Sequence, residues 1–165
     1  MPSSQCANHH ICQETALATA EAHCDKFGER LTPNRRDVLR LIWQSHRPIK
    51  AYDLIDLMSA QDAKVKPATV YRALDFLLAQ GLIHKIDSLS AFTGCSHPNQ
   101  HDDCYFLICQ SCGTAQECCS PLLAEAITSE ARQQDFKLTR TVLEIAGQCA
   151  TCHQTAPTIA GQEAR

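Results

Sequence analysis

Residues 66–94 read KPATVYRALDFLLAQGLIHKIDSLSAFTG, and this stretch decides the fold class. Pro67 has a preset φ and lacks an N–H, so it suits the first turn of a helix. Val70, Leu74, Leu77 and Leu78 then recur at the spacing of one inward helical face. Gly81 is a suitable residue to end that helix, because it adopts a left-handed conformation at no steric cost. Beyond it lie two short extended pieces, Leu82 to Ile86 and Ser90 to Thr93, separated by Asp87-Ser88. A helix leading into a hairpin is the second half of a winged helix, in which the helix before the hairpin enters the DNA major groove. The competing reading of the same pattern is a generic helical bundle.

Working upstream, Thr32-Pro33 starts another helix, with Thr32 as N-cap and Pro33 in the first position. Val38, Leu41, Ile42 and Trp43 give it an apolar face before Pro48 stops the chain. Ala51 to Ala60 form a third short helix with Leu54, Ile55, Leu57 and Met58 apolar. Leu17, Ala20, Cys24 and Phe27 place a helix over residues 14–27. Downstream of Gly94 the character changes. Tyr105 to Cys109 and Thr114 to Cys118 read as strands, Pro121 to Gln134 as a helix, and Phe136 to Ala146 as the longest strand, bulged or covered on both faces. The expected architecture is α+β: a winged-helix domain over residues 1–92 with a disordered N-terminal arm, a metal-binding dimerisation domain over 93–156, and a disordered tail over 157–165.

Charge follows the same division. Residues 26–85 hold 11 of the 15 Lys and Arg against 6 acids, a balance of +5, while the rest of the chain stands at −8. A basic block followed by an acidic one suggests two units with different partners, nucleic acid being one. The alternative is an ordinary charged surface. No run of 18 apolar residues occurs, and the N-terminus has neither a basic region nor an apolar core, so a cytosolic protein without a membrane span is expected. In a reducing compartment the 11 cysteines should not form a stable disulfide framework, which leaves metal ligation or redox chemistry.

The strongest motif is Cys109-x-x-Cys112 with Cys149-x-x-Cys152. Two such turns present four thiolates tetrahedrally, which is what Zn²⁺ accepts in closed structural sites; a thioredoxin-like redox pair is the alternative for either turn alone. A second set lies between the domains: His84 at the hairpin, Cys95 just past it, then His97, His101, Asp102, Asp103 and Cys104, with Glu117 beyond the first Cys pair. Imidazole, thiolate and carboxylate together suit zinc, and the soft thiolate argues against Mn²⁺ or Mg²⁺. Singly, each of these is also an ordinary solvated side chain.

Three segments carry a resemblance. Arg30-Leu-Thr-Pro-Asn-Arg-Arg, Lys66-Pro-Ala-Thr-Val-Tyr-Arg-Ala-Leu and Leu107-Ile-Cys-Gln-Ser-Cys-Gly strongly resemble the ferric uptake regulator (Fur) family, over about residues 14–153 and in matching order. Ala51-Tyr-Asp-Leu-Ile-Asp-Leu, Val70-Tyr-Arg-Ala-Leu-Asp-Phe-Leu and His84-Lys are similar to its zinc uptake regulator (Zur) branch. The resemblance implies a homodimer, not an enzyme, that binds operator DNA and represses zinc-acquisition genes when zinc is replete. It implies two zinc ions per monomer. Cys109, Cys112, Cys149 and Cys152 match the structural ligands, and His84, Cys95 and Glu117 match three regulatory ligands. The fourth regulatory ligand, a His, is expected seven residues before Cys109, where this chain has Asp102; His101 is the first choice, with His97 and Asp102 in reserve. Cys6, Cys12, Cys24, Cys104, Cys118 and Cys119 lie outside the pattern and read as small hydrophobes or incidental thiols. A weak metal site at Cys6, His9, His10 and Cys12 is a lesser alternative to disorder there.

The helix from Pro67 is then the reading helix. Arg72 can donate two hydrogen bonds to guanine, and Tyr71 can touch a thymine methyl or a phosphate, although packing against the third helix is the alternative for Tyr71. Lys66, Thr69, Arg35 and Arg36 are candidates for phosphate contacts. Rival readings are a family member that senses iron, nickel, manganese or peroxide, and a thiol redox enzyme or zinc carrier.

Overall fold

In the computed structural model, residues 9–45, 47–98 and 104–155 are described. The expected N-terminal arm, except its last residues, and the expected tail lie outside them, as do His101, Asp102 and Asp103. Four helices and a three-stranded sheet form the first unit: α1 (His9–Lys26), α2 (Pro33–Ile42), β1 (Ile49–Lys50), α3 (Ala51–Gln61), α4 (Pro67–Ala79), β2 (Ile83–Ile86) and β3 (Ala91–Gly94). β3 lies between β1 and β2 and pairs antiparallel with both. Pro33 and Pro67 open α2 and α4 as expected, and Gly81 at φ +64° lets the chain leave α4 into the hairpin.

One core unites these elements. Leu17, Ala20 and Cys24 of α1 meet Val38, Leu39, Leu41 and Ile42 of α2, Leu54 and Met58 of α3, and Val70, Ala73, Leu74 and Leu77 of α4. Each helix contributes a stripe at three- and four-residue steps, so burial fixes their mutual packing. Four side chains depart from expectation. Ala73 completes the buried stripe of α4 while Leu78 sits at its margin, Leu57 is partly exposed, and Phe27 lies past the end of α1 in solvent. Trp43 packs against the end of the wing, where a Cβ on Gly94 would collide with its indole.

The second unit contains β4 (Cys104–Cys109), β5 (Ala115–Cys119), α5 (Pro121–Gln133), β6 (Glu144–Gly147) and α6 (Ala150–Thr155). Its sheet has the order β5-β4-β6, with β4 antiparallel to β5 and parallel to β6. The long strand expected over 136–146 shrinks to Glu144–Gly147. Only those residues find ladder partners, on β4, and a strand without a neighbour leaves its backbone groups unpaired. Phe136, Val142 and Ile145 are exposed, Leu122 of α5 is 81% exposed, and α5 buries no residue. Among the described residues this unit's core is small: Phe106, Ile108 and Ala115, joined by Ile86 from the wing. β3 extends through Gly94, two residues past the expected domain boundary. The amide of Cys95 still donates to Leu82 O at 3.1 Å, so Cys95 belongs to the end of the wing.

Candidate metal centres and the DNA-facing helix

Parallel pairing of β4 and β6 explains how two distant Cys-x-x-Cys turns meet. Cys109 registers with Gly147, and Gln110 N–H donates to Gly147 O at 2.8 Å, so both turns leave the same end of the sheet. Gly113 at φ +73° closes the first. The Sγ atoms of Cys109, Cys112, Cys149 and Cys152 all lie within 4.8 Å of one another, with Cys112 and Cys149 at 3.9 Å. Four thiolates on one zinc ion sit about 3.8 Å apart. The Cys149 amide donates to Cys109 Sγ at 3.3 Å, and this contact is the main cause that lowers the Cys109 thiol to about 6. Cys112 is lowered chiefly by the Thr114 hydroxyl, whereas Cys152 is pushed up to about 12 by hydrogen bonds first to Cys149 and then to Cys112. Thiols this unequal and this close share protons that a divalent cation would replace.

The second centre lies where the two units touch. His84 is the second residue of β2, Cys95 follows β3, and Glu117 stands on β5 opposite Phe106. Their donor atoms fall within 4.8 Å of one another. His84 Nε2 is 2.8 Å from Glu117 Oε1, and Cys95 Sγ is 3.7 Å from the same oxygen. The amide of Ser96 donates to Glu117 Oε2 at 2.8 Å, and that of His97 to Cys95 Sγ at 3.3 Å. The His84 ring meets Phe106 edge-on. The Glu117 side chain is only 6% exposed. Burial works to raise its carboxyl, but hydrogen bonds from His84 and Ser96 and the nearby His84 and His97 hold it below the usual range. Burial, then the Glu117 charge, pushes the Cys95 thiol up. Imidazole, one carboxylate and one displaceable thiol proton fit a zinc ion, because the two anionic ligands would balance its charge.

α4 carries its polar face outward. Tyr71, 44% exposed, and exposed Arg72 lie outside the buried stripe of Val70, Ala73, Leu74 and Leu77. Lys66 is the residue before the helix and Thr69 lies in its first turn. Arg35 is engaged within the fold, its guanidinium 3.3 Å from the centroid of Phe76 and donating to Arg30 O, while Arg36 pairs with Glu21.

A model of the ferric uptake regulator family matches residues 26–146. The chain belongs to that family. This Fur-family chain is 41% identical over 138 residues to the zinc uptake regulation protein of Escherichia coli (strain K12), covering 82% of this chain and 80% of that one. Its fold matches a zinc uptake regulator complexed with zinc and DNA at a TM-score of 0.81 and 38% identity, over 86% of this chain and 95% of the other. The holo form of XcZur matches at 0.78 and 40% identity, over 86% and 99%, whereas the apo form matches at 0.50 with 38% identity, over 86% and 97%.

The family pattern did not point to three features of this Fur-family chain. Cys104 and Cys119, expected to be small hydrophobes or incidental thiols in a chain without disulfides, are joined by a disulfide. They are register partners across β4 and β5, and no local spacing reveals such a pairing. Cys118, one residue away, faces the other side of the strand. The third feature is Glu144, the first residue of β6, whose carboxylate accepts from the amides of Asp87 at 2.7 Å and Ser88 at 3.1 Å. Those amides belong to the tight turn at the tip of the wing, so Glu144 fastens the second unit to the first without any metal.

Proposed function

We propose that this chain is a zinc-responsive transcriptional repressor that binds operator DNA as a homodimer when its regulatory site is loaded, and thereby controls zinc-uptake genes. The observation that carries the reading is the convergence of His84 and Cys95, from the end of the wing, with Glu117 from the second sheet. His101 is the proposed fourth ligand, with His97 and Asp102 as alternatives. Cys109, Cys112, Cys149 and Cys152 are proposed to hold a second, structural zinc, making two per monomer. The relatives with zinc and DNA in their names, and the much better match to a holo form than to its apo form, support the same reading. No helix among the described residues is long and apolar enough to cross a membrane, in keeping with a regulator that works on DNA in the cytoplasm.

His84 and Cys95 move with the reading head, and Glu117 moves with the dimerising sheet. A bound zinc ion supplies a bridge between them. His84 held to Glu117 sets the angle of α4, and two α4 helices in a dimer then match half-sites one helical turn apart. The dimer face is proposed at Leu122, Phe136, Val142 and Ile145, apolar side chains that a single chain leaves exposed. A coupling of about 1–3 kcal/mol between the ion and the operator makes a working switch. Fluorescence anisotropy of an operator duplex from a zinc-acquisition gene, titrated with buffered Zn²⁺, Fe²⁺, Mn²⁺ and Ni²⁺, tests this: zinc should drive binding at the lowest free concentration, and an equal response to every metal would refute zinc as the signal.

Arg72 is proposed to read a base and Tyr71 to touch a base or phosphate, with Lys66, Thr69, Arg35 and Arg36 on the phosphates. Arg72→Ala should cost about 1–3 kcal/mol of operator binding and flatten the preference at one base pair. Lys66→Ala should instead weaken all duplexes alike and reduce the salt slope by about 1. Competition binding with single-base operator variants separates the two.

Glu144 predisposes the two units to the closed arrangement. Glu144→Gln keeps the shape but weakens two charge-assisted hydrogen bonds, so the free zinc needed for half-maximal operator binding should rise about three- to tenfold. Total zinc per chain should stay the same. An unchanged midpoint would remove Glu144 from the switch.

A further inference from the structure

Beside the His84–Cys95–Glu117 centre lies a second group of donors. His97, Glu117 and Cys119 also bring their ligand atoms within 4.8 Å of one another. Glu117 and Cys119 are two residues apart on β5 and therefore share a face, and His97 lies on the segment whose amide already touches Cys95 Sγ. The two groups differ in access. Cys95 is buried, whereas His97 and Cys119 are exposed. They differ also in chemistry, because Cys119 is tied to Cys104. A disulfide sulfur is a poor ligand; the thiolate is the one that binds metal.

We propose that Cys104 and Cys119 are a redox-controlled modification site that opens and closes a third zinc site, on His97 and Glu117. As a disulfide, the pair leaves only an imidazole and a carboxylate, too few protein ligands for zinc. As a dithiol, it adds the Cys119 thiolate and completes a three-ligand set with an open position to solvent. Disulfides in reducing compartments are mostly transient, catalytic or redox-sensing, and this one is placed for that role, joining an exposed Cys119 to a half-buried Cys104. Opening it takes two electrons and two protons. A water-soluble phosphine supplies the electrons and becomes a phosphine oxide with the oxygen of water, whose two hydrogens end on Cys104 and Cys119. Closing it by glutathione disulfide forms the Cys104–Cys119 bond and releases two molecules of glutathione.

Glu117 serves both donor groups, so the redox state of the pair reaches the inner centre. With the bridge closed, Glu117 is left to His84 and Cys95. With the bridge open, the exposed Cys119 thiolate recruits a further ion to the same carboxylate. The proposal rests on Glu117 being a metal ligand, as the functional reading requires, but does not need the chain to bind an operator.

The test counts zinc per chain by chelator competition on the full-length protein, in phosphine-reduced and glutathione-disulfide-treated forms, with peptide mass spectrometry to follow the Cys104–Cys119 link. Reduced protein should hold one more exchangeable zinc ion than oxidised protein. Cys119→Ser should lack that ion in both forms, and Cys104→Ser, kept from small disulfides, should bind it without reduction. With Co²⁺ in place of Zn²⁺, the thiolate-to-metal charge-transfer band should gain intensity on reduction only where Cys119 is present. Equal zinc counts in reduced wild type and Cys119→Ser, or treated protein that never links Cys104 to Cys119, would overturn the proposal. A loss of zinc-stimulated DNA binding in His84→Ala is read separately, so failure of the outer site and failure of the sensor reading give different results.

Discussion

His84→Ala and Cys95→Ser should each abolish zinc-stimulated operator binding while leaving a folded dimer that still holds its structural zinc. Each variant removes one of the donors that meet around Glu117, and Glu117 is the contribution of the second sheet. The stimulated gain, about 5–150-fold if the coupling is 1–3 kcal/mol, should fall to none. The two variants differ in their pH behaviour. Burial and the neighbouring carboxylate raise the Cys95 thiol, so it carries a proton at neutral pH that zinc must displace. The apparent zinc affinity of the intact protein should therefore fall by about tenfold per pH unit as pH drops, on account of this one group. Cys95→Ser, with no thiol proton to release, should lose that share of the dependence. Operator anisotropy with buffered zinc measures the loss of stimulation, and chelator competition for zinc from pH 8 to 6.5 measures the proton dependence in parent and variant; variants that respond to zinc as the parent does would end the sensor reading.

Cys149→Ser should have a larger effect on stability. Among the described residues the second unit buries only Phe106, Ile108, Ala115 and the ligand candidate Cys109, and its helix α5 has no buried residue. A sheet of three short strands with so little apolar burial does not stand alone. Structural zinc in small domains is worth about 10–16 kcal/mol at neutral pH. Losing one of four sulfurs from the cluster should thus unfold this unit and prevent dimerisation, while the helical core of the first unit persists. Circular dichroism should show retained helix, size exclusion should report monomer, and metal analysis should find the structural ion gone. A stable dimer without that ion would show that packing suffices.

The segment 66–94 was legible because its signals are local. Proline, an inward stripe and a glycine mark α4, and the hairpin follows within a few residues. The four sulfurs were legible for a related reason, since each Cys-x-x-Cys turn is a local arrangement, though the parallel register that brings the two turns together is not. The stretch 136–143 was misread because its apolar side chains look like a strand, and a strand needs a neighbour that sequence cannot name. The first helix proved longer, starting at His9, as a helix end on a polar segment carries little periodic signal.

Side-chain chemistry put His84, Cys95 and Glu117 in a wider set of candidate donors, and the resemblance to the zinc uptake regulator branch singled them out, because both are properties of the string. Their convergence at one point could not be read there, and neither could Glu144 on the wing amides or Cys104 against Cys119. Those contacts join positions 22 to 57 residues apart, or 15 across two strands, and they exist only because packing the wing against the second sheet and setting the β4–β5 register fix distances that chain connectivity leaves free.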